Sequence, residues 1–285
     1  WLHDRVKPER DQNPRKIRRE NWWLFGENQP RMRRALEGLS RFIATAVVAK
    51  HRVFAFLDKD ILPDQKLLVV ASDDAMVLGL LSSRVHVCWA LAAGGTLEDR
   101  PVYNNARCFE AFPFPVATPE QQARIRDLAA QIDAHRKRVQ AEHADLTLTG
   151  LYNVLRKVGT CDTALNAKEK TIHEKGLVAV LKSLHDELDA AVLDAYGWSD
   201  SPDDATILER LVALNTLRVA EEAQGHIRWL RPEFQAPEFT QTSMAGMGAP
   251  RPTICENQDE VEIPQSPPAT TPAHALQPWP QTLPE

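Results

Sequence analysis

The sequence predicts an α+β chain with three parts: a small mixed α/β segment (residues 1–117), an α-helical bundle (118–231) and a disordered Pro-rich tail (232–285). In the first part, short runs of β-branched and aromatic residues separated by polar turns indicate strands. In the second part, apolar residues at helical spacing indicate long helices. In the third part, prolines are mixed with Thr, Gln and Ser, so too few apolar residues cluster to form a core.

The first part is predicted to begin with a short helix that is followed by three strands. Apolar residues at helical spacing predict the helix over 30–39. The strands are predicted at 42–49, 53–57 and 66–70. Charged turns separate them, which is typical of a small sheet.

One long helix is predicted to follow the strands, from Ser72 to Gly94. Ser72, Asp73 and Asp74 can cap free backbone amides at its start, and the carboxylates suit the positive end of the helix dipole. Gly94 and Gly95 are expected to end it in a left-handed turn. The predicted buried side consists of Met76, Leu80, Leu81, Val85, Cys88 and Trp89. We expect this helix to pack on the strands.

The second part is predicted to contain three long helices in an antiparallel bundle. They span 119–144, 167–196 and 203–223. In the middle helix, Leu181, Leu184 and Leu188 belong to an apolar stripe, whereas Lys182 and Asp186 lie on the polar side.

Charge is distributed unevenly along the chain, although the formal net charge is only −5. Basic residues concentrate near the N-terminus, notably in the run PRKIRRENWW, which contains Arg15, Lys16, Arg18 and Arg19. Clustered cations can neutralise phosphates, and interleaved aromatic rings can stack on bases. The alternative is a solvated face whose two tryptophans insert into the adjacent core. We expect the tryptophans in the core, and leave the basic run open between phosphate contact and plain surface.

The cysteines and the apolar segments indicate a cytoplasmic protein that does not span a membrane. The 4 cysteines are far apart and form no C-x-x-C pair, which argues against a disulfide framework or a zinc site. Asp73, Asp74 and Arg84 interrupt the longest apolar region, residues 67–93. The sequence opens on Trp1 without a secretory leader, so we expect a piece of a longer protein.

No catalytic, cofactor-binding or metal-binding residues are predicted in this chain. The 9 histidines include no H-E-x-x-H pair, and no nucleophile–base pair or nuclease motif is visible. His86 is interpreted as a structural histidine and Cys108 as a small buried apolar residue.

The loop from Thr96 to Arg107 is the best candidate for base recognition, because its side chains match the edges of DNA bases. Arg100 could pair with guanine, Glu98 or Asp99 with the cytosine amine, and Asn104 or Asn105 with adenine. A surface loop without this role can have the same composition.

Four segments of the first part, taken together in order, resemble one family. They are RENWWLFGENQPRMRRALEGLSRFIAT, AKHRVFAFLD, ILPDQKLLVVASDDAMVLGLLSSRVHVCWAL and GGTLEDRPVYNNARCFEAFPFP. They resemble the target-recognition domain of MmeI-like DNA methyltransferases, which are single-chain restriction-modification enzymes. The helices after Pro115 resemble the C-terminal helical domain of that family. The resemblance covers most of residues 15–232, and the FPFP element is its most specific short part.

The resemblance implies a role in binding double-stranded DNA. In the family, the recognition domain faces DNA held against an amino-methyltransferase domain, and residues before the FPFP element read bases. Carried over by position, Glu98, Asp99, Arg100 and Tyr103 are the expected base readers. The basic residues of the run 15–19 are the expected contacts to the DNA backbone.

The resemblance also implies catalytic parts that this chain does not contain. The family's S-adenosylmethionine-binding methyltransferase domain, spacer and nuclease would precede Trp1. The adenine-holding motif, an acidic or polar residue followed by Pro-Pro-aromatic, is not matched by Ser266-Pro267-Pro268-Ala269. The parent is expected to methylate adenine at N6 with S-adenosylmethionine, whereas this fragment should be inactive alone. The alternative is a non-catalytic DNA-binding or helical adaptor protein that shares the fold.

Overall fold

The computed structural model describes residues 1–24, 29–160 and 164–237. The predicted disorder of the tail concerns residues 232–285, of which only the first six are described. The Ser266–Ala269 segment lies outside the described residues.

The described residues of the N-terminal segment form four short helices. They are α1 (Leu2–Arg5), α2 (Lys7–Asp11), α3 (Lys16–Glu20) and α4 (Pro30–Leu36). Only α4 was predicted, and it ends three residues earlier than expected. None of the four contains a fully buried residue. Helices this short are marginal on their own, and ion pairs such as Lys7–Asp11 (2.7 Å) contribute only modestly to their stability.

The three predicted strands are confirmed as an antiparallel sheet. They are β1 (Arg41–Ala46), β2 (Ala55–Asp58) and β3 (Leu67–Val70), in the order β2-β1-β3. Ile43 of the central strand pairs with Phe56 on one side and Val70 on the other. The apolar run after Ala46 leaves this sheet, because Val48 instead forms a bridge with Val102.

The single helix predicted from Ser72 is wrong: two helices, α5 (Ala75–Ser82) and α6 (Arg84–Ala93), meet at a bend of 62°. Asp74 caps α5 by accepting from Met76 N at 2.8 Å, in agreement with the predicted start. Ser83 causes the break, since its hydroxyl donates to the Leu80 carbonyl at 2.7 Å and accepts from His86 N at 3.4 Å. A short polar side chain can thus replace the backbone hydrogen bonds of a helix with bonds between its own hydroxyl and nearby backbone groups.

The predicted left-handed turn at Gly94 is also wrong. Gly94 has φ −73°, which any residue can adopt. Glycine is required for another reason: a Cβ here would lie 2.5 Å from the Val102 carbonyl oxygen and 2.7 Å from that of Ala90. The chain after α6 therefore passes close to its own helix end. It forms β4 (Gly95–Leu97), β5 (Arg100–Val102) and a π-helical turn (Asn105–Glu110).

The described residues after Pro115 form six helices, and two predicted ones are confirmed nearly as expected. The six are α7 (Pro119–Glu142), α8 (Leu148–Thr160), α9 (Ala167–Lys175), α10 (Val178–Ala195), α11 (Asp204–Ala223) and α12 (Pro232–Gln235). A capping box between Thr118 and Gln121 begins α7. Helix α8 was not predicted, because Gly150 and Gly159 lower its helix propensity.

The long helix predicted over 167–196 is divided into α9 and α10 at Gly176. The Gly176 carbonyl accepts a hydrogen bond from His135 Nε2 of α7 at 3.0 Å, outside its own helix. Leu177 then adopts a positive φ of 44°. A contact with a different helix therefore ends α9.

One hydrophobic core joins the strand-containing and helical segments. Trp89 and Phe112 pack in the same cluster as Ile125, Leu188 and Ile207. Arg126 of α7 also forms a bidentate pair with Asp74, at 2.8 and 3.0 Å. Residues 1–237 form one compact unit. The two segments therefore share one core. The domain boundary at 117/118 remains a prediction from the sequence.

No single helix of the described residues is long and apolar enough to cross a membrane. The bent pair α5–α6 meets that test by length and composition only.

Candidate nucleic-acid interface

The loop predicted to read bases forms a two-residue β-hairpin. Leu97 pairs with Arg100, so Glu98 and Asp99 are the two turn residues. Glu98 has a positive φ of 57°. Such a conformation costs about 1–3 kcal/mol for a residue other than glycine, and similar strain is often found at functional sites. The turn therefore places both carboxylates at the tip of the hairpin.

Three of the four predicted base readers lie together on that tip. Glu98, Asp99 and Arg100 are all exposed. The Arg100 guanidinium lies 4.0 Å from the Asp99 carboxylate, and these side chains are 62% and 94% exposed. Ion pairs this exposed are worth little. Breaking this ion pair therefore costs little free energy, so either side chain is available to bind an external partner.

Tyr103, the fourth predicted base reader, requires correction because its side chain lies in the core. It is only 2% exposed, and its hydroxyl is 2.8 Å from His86 Nε2. Phe54 packs edge-on against the Tyr103 ring at 5.4 Å. Tyr103 therefore supports the hairpin from beneath.

His86 is a structural histidine, as predicted. It is fully buried, and Phe112 packs edge-on against it at 4.4 Å. Burial, together with the positive charge of Arg52, lowers the pKa of His86 to about 3. The imidazole is therefore neutral at neutral pH, when it bonds the tyrosine hydroxyl.

Arg52 anchors the hairpin and was missed by sequence analysis. Its side chain is 8% exposed. Its guanidinium donates to Ala46 O, to Thr45 Oγ1 at 3.2 Å and to Pro101 O at 3.1 Å. It also lies over the Tyr103 ring, 5.0 Å from its centre. Arg52 thus ties β1 to β5, and no local pattern distinguishes it from the other charged turn residues.

The π-helical turn holds the segment that follows the hairpin. Asn104 Oδ1 accepts from Arg107 N at 3.1 Å, so part of its amide is committed to the backbone. Cys108 is fully buried, as predicted. Phe112 and Phe114 of the FPFP element contact each other edge-on at 5.0 Å within the shared core. The FPFP element therefore connects the hairpin segment to the helices.

The residues predicted to contact the DNA backbone form a second group, which consists of Arg15 at the N-cap of α3 and three residues within α3. Arg15, Lys16 and Arg19 are exposed, and Arg18 is half-buried. The Arg19 guanidinium bonds to the carbonyls of Asn13 at 2.7 Å and Pro14 at 3.1 Å. These cations are accessible, but they do not share an element with the hairpin.

The expectation that both N-terminal tryptophans insert into the core is wrong. Trp23 is 55% exposed, and Trp22 contacts Trp23 and His3 edge-on, each at 5.8 Å. An apolar surface therefore lies beside the basic run.

No metal centre is visible in the described residues, since they contain no group of three or more His, Cys, Asp or Glu side chains placed to hold an ion. Cys88 and Cys108, the described cysteines, are free thiols.

Three comparisons with known proteins agree with each other. Residues 15–116 match the family described as MmeI, target recognition domain. DNA methyltransferase A of Bacillus subtilis (strain 168) is 26% identical over 148 residues, which cover 52% of this chain and 14% of that protein. The type IIL restriction-modification enzyme MmeI, whose structure was determined in complex with DNA, has a similar fold, with a TM-score of 0.56 and 20% identity. That match covers 76% of this chain and 26% of MmeI, so the chain spans a small part of either protein.

Proposed function

We propose, given that residues 15–116 form an MmeI-like target recognition domain, that this chain supplies the DNA sequence recognition of a site-specific DNA methyltransferase in a restriction-modification or phage-defence system. The observation that carries the proposal is the β4–β5 hairpin. Its tip presents Glu98, Asp99 and Arg100, while its base is held by buried polar groups. Base readout requires such fixed placement, because hydrogen-bond geometry decides between bases.

The hairpin suits the major groove of duplex DNA. A two-stranded β-ribbon fits that groove, where each base pair presents a distinct pattern of donors and acceptors. Arg100 can donate two bonds to guanine O6 and N7, and Glu98 or Asp99 can accept from cytosine N4. The tip thus offers both signs of charge, as a reader of G·C pairs requires.

The cations at the start of α3 and within it would add contacts that do not depend on the DNA sequence. Arg15, Lys16, Arg18 and Arg19 are proposed to neutralise backbone phosphates and release condensed counterions. Such contacts contribute affinity and orientation, whereas base edges provide specificity.

Methyl transfer itself is assigned to an N-terminal methyltransferase domain of the same parent chain. The proposed reaction moves a methyl group from S-adenosylmethionine to adenine N6, and this chain contributes no catalytic or cofactor-binding residue. Support comes from the curated relative, which is named a DNA methyltransferase. The free thiols fit a reducing cytoplasm.

Replacing Arg100 with Ala in the reconstructed parent enzyme tests the proposal. A bidentate contact discriminates between bases by about 1–3 kcal/mol, so one position of the methylated motif should relax by roughly tenfold to a hundredfold. Methylome sequencing of cells expressing each protein measures this. Arg124→Ala, at an exposed arginine of α7, is the control and should leave the motif unchanged.

Other outcomes discriminate against the proposal. If Glu98→Ala, Asp99→Ala and Arg100→Ala each leave the motif unchanged in folded protein, the hairpin is not the reader. If the parent gene encodes no methyltransferase domain, the non-catalytic DNA-binding alternative is favoured.

A further inference from the structure

The turn Lys50-His51-Arg52 lies directly beside the base of the candidate reading hairpin. Val48, just before the turn, forms a bridge with Val102 of β5, and Ala49 N donates to the Pro101 carbonyl at 3.3 Å. Arg52 commits its guanidinium to the protein, as described above, whereas Lys50 is exposed. The turn therefore adds a cation next to the hairpin.

Helix α8 brings a second cation to the same place. His51 Nε2 lies 2.9 Å from Asn153 Oδ1, and the His51 ring packs against Tyr152 at 6.2 Å. Arg156 follows Asn153 by one helical turn and is exposed. His51 and Arg156 line one cleft of about 580 Å³ between the strand-containing segment and the helices.

Lys50 and Arg156 both place positive charge beside His51. Burial lowers the pKa of His51, and the positive charges of Lys50 and Arg156 lower it further, whereas the hydrogen bond that His51 donates to Asn153 Oδ1 raises it. Two other cations of the cleft are in ion pairs: Arg84 with Asp204 at 2.7 Å, and Lys182 with Asp186 at 2.5 Å. Within the described part of the chain, Lys50 and Arg156 form no ion pair.

We propose that Lys50 and Arg156 form a second phosphate-binding site for duplex DNA, on the helical side of the hairpin. The inference rests on the proposed function, because it takes the hairpin to enter the major groove. That groove is about 12 Å wide and is bordered by phosphates on both strands. A hairpin inserted into it brings the cations at its base towards one of those strands. The site contacts the backbone, so it strengthens binding to all sequences alike.

The experiment measures binding of the full chain to duplex DNA by fluorescence anisotropy over a series of salt concentrations. Lys50→Gln with Arg156→Gln should weaken binding to unrelated duplexes equally. It should reduce the slope of log K against log salt by about 1.8, since each neutralised phosphate contributes about 0.9. The control is Lys168→Gln with Lys170→Gln, two exposed lysines of α9, which removes the same charge and should leave the slope unchanged. Circular dichroism verifies the fold of each variant.

The outcomes separate this inference from the proposed function. Wild-type binding with a salt slope that Lys50→Gln/Arg156→Gln leaves unchanged would overturn the second site alone. Equal losses in the Lys50/Arg156 and Lys168/Lys170 variants would also overturn it, because net charge would explain the effect. A wild-type chain that does not bind duplex DNA at low salt would contradict the proposed function together with this inference.

Discussion

The β4–β5 hairpin and helix α3 carry the two original groups of candidate DNA-contacting residues, and they are held in opposite ways. The hairpin stands on Arg52, Tyr103 and His86, which are buried and bonded to one another or to its backbone. Helix α3 contains no fully buried residue. Reading base edges requires fixed side chains, whereas attraction to phosphates requires only charge near the duplex. The difference in anchoring therefore supports the proposal that the hairpin provides specificity and α3 provides general affinity.

Removing the anchor beneath the hairpin should have the largest effect. Arg52→Ala leaves the carbonyls of Ala46 and Pro101 without their buried donor, so the free energy of unfolding should fall by about 3 kcal/mol. Urea denaturation measures it. Arg124→Ala, at an exposed site, should change stability by less than about 0.5 kcal/mol. A similarly small change for Arg52→Ala would mean that the hairpin is held by other contacts.

The buried imidazole should make stability depend on pH. The folded-state pKa of His86 is about 3, below its ordinary value of 6.5, so below pH 6.5 the unfolded chain binds a proton that the folded chain excludes. Stability should therefore fall as the pH decreases from 6.5 towards 3, by about 1.4 kcal/mol per pH unit for this residue. His185, whose buried-state pKa is about 4, acts in the same direction. Asp189, whose pKa burial raises to about 6, acts in the opposite direction between pH 6 and 4.

The variant His86→Phe/Tyr103→Phe isolates that contribution, because it removes both hydrogen-bonding partners together and avoids an orphaned hydroxyl. Urea denaturation at a series of pH values should show a dependence flatter by about 1.4 kcal/mol per pH unit between pH 6 and 4. An unchanged pH dependence would show that His86 does not titrate as its burial implies.

Neutralising α3 should have the smallest effect on the fold and none on specificity. Replacing Arg15, Lys16, Arg18 and Arg19 with Gln should weaken binding to all duplexes alike and flatten the salt dependence, because fewer counterions are released. Stability in urea should stay nearly constant, since these residues lie on a helix without fully buried positions. An unchanged salt slope would show that α3 does not contact the phosphates. A changed methylation motif would overturn the division of roles between α3 and the hairpin.

Local sequence patterns determined much of this protein. They located the three strands, the cap at Asp74, and the helices that begin near Pro119 and Asp204. They also selected Glu98, Asp99 and Arg100, which the structure places exposed on the hairpin tip. These features depend on neighbouring residues, since side-chain periodicity, short polar caps and polar turns all act within a few positions.

Only the tertiary structure decided which polar groups hold the hairpin and which face outwards. Tyr103 resembles its polar neighbours in sequence but bonds to His86, and Arg52 resembles an ordinary turn residue but donates to Pro101. The helix end at Gly176 likewise depends on a hydrogen bond from His135. In each case the hydrogen-bonding partner is distant in sequence. Buried polar groups need such partners, and the fold determines which residue supplies them. No periodicity encodes that pairing, so the anchor of the candidate site became visible only in three dimensions.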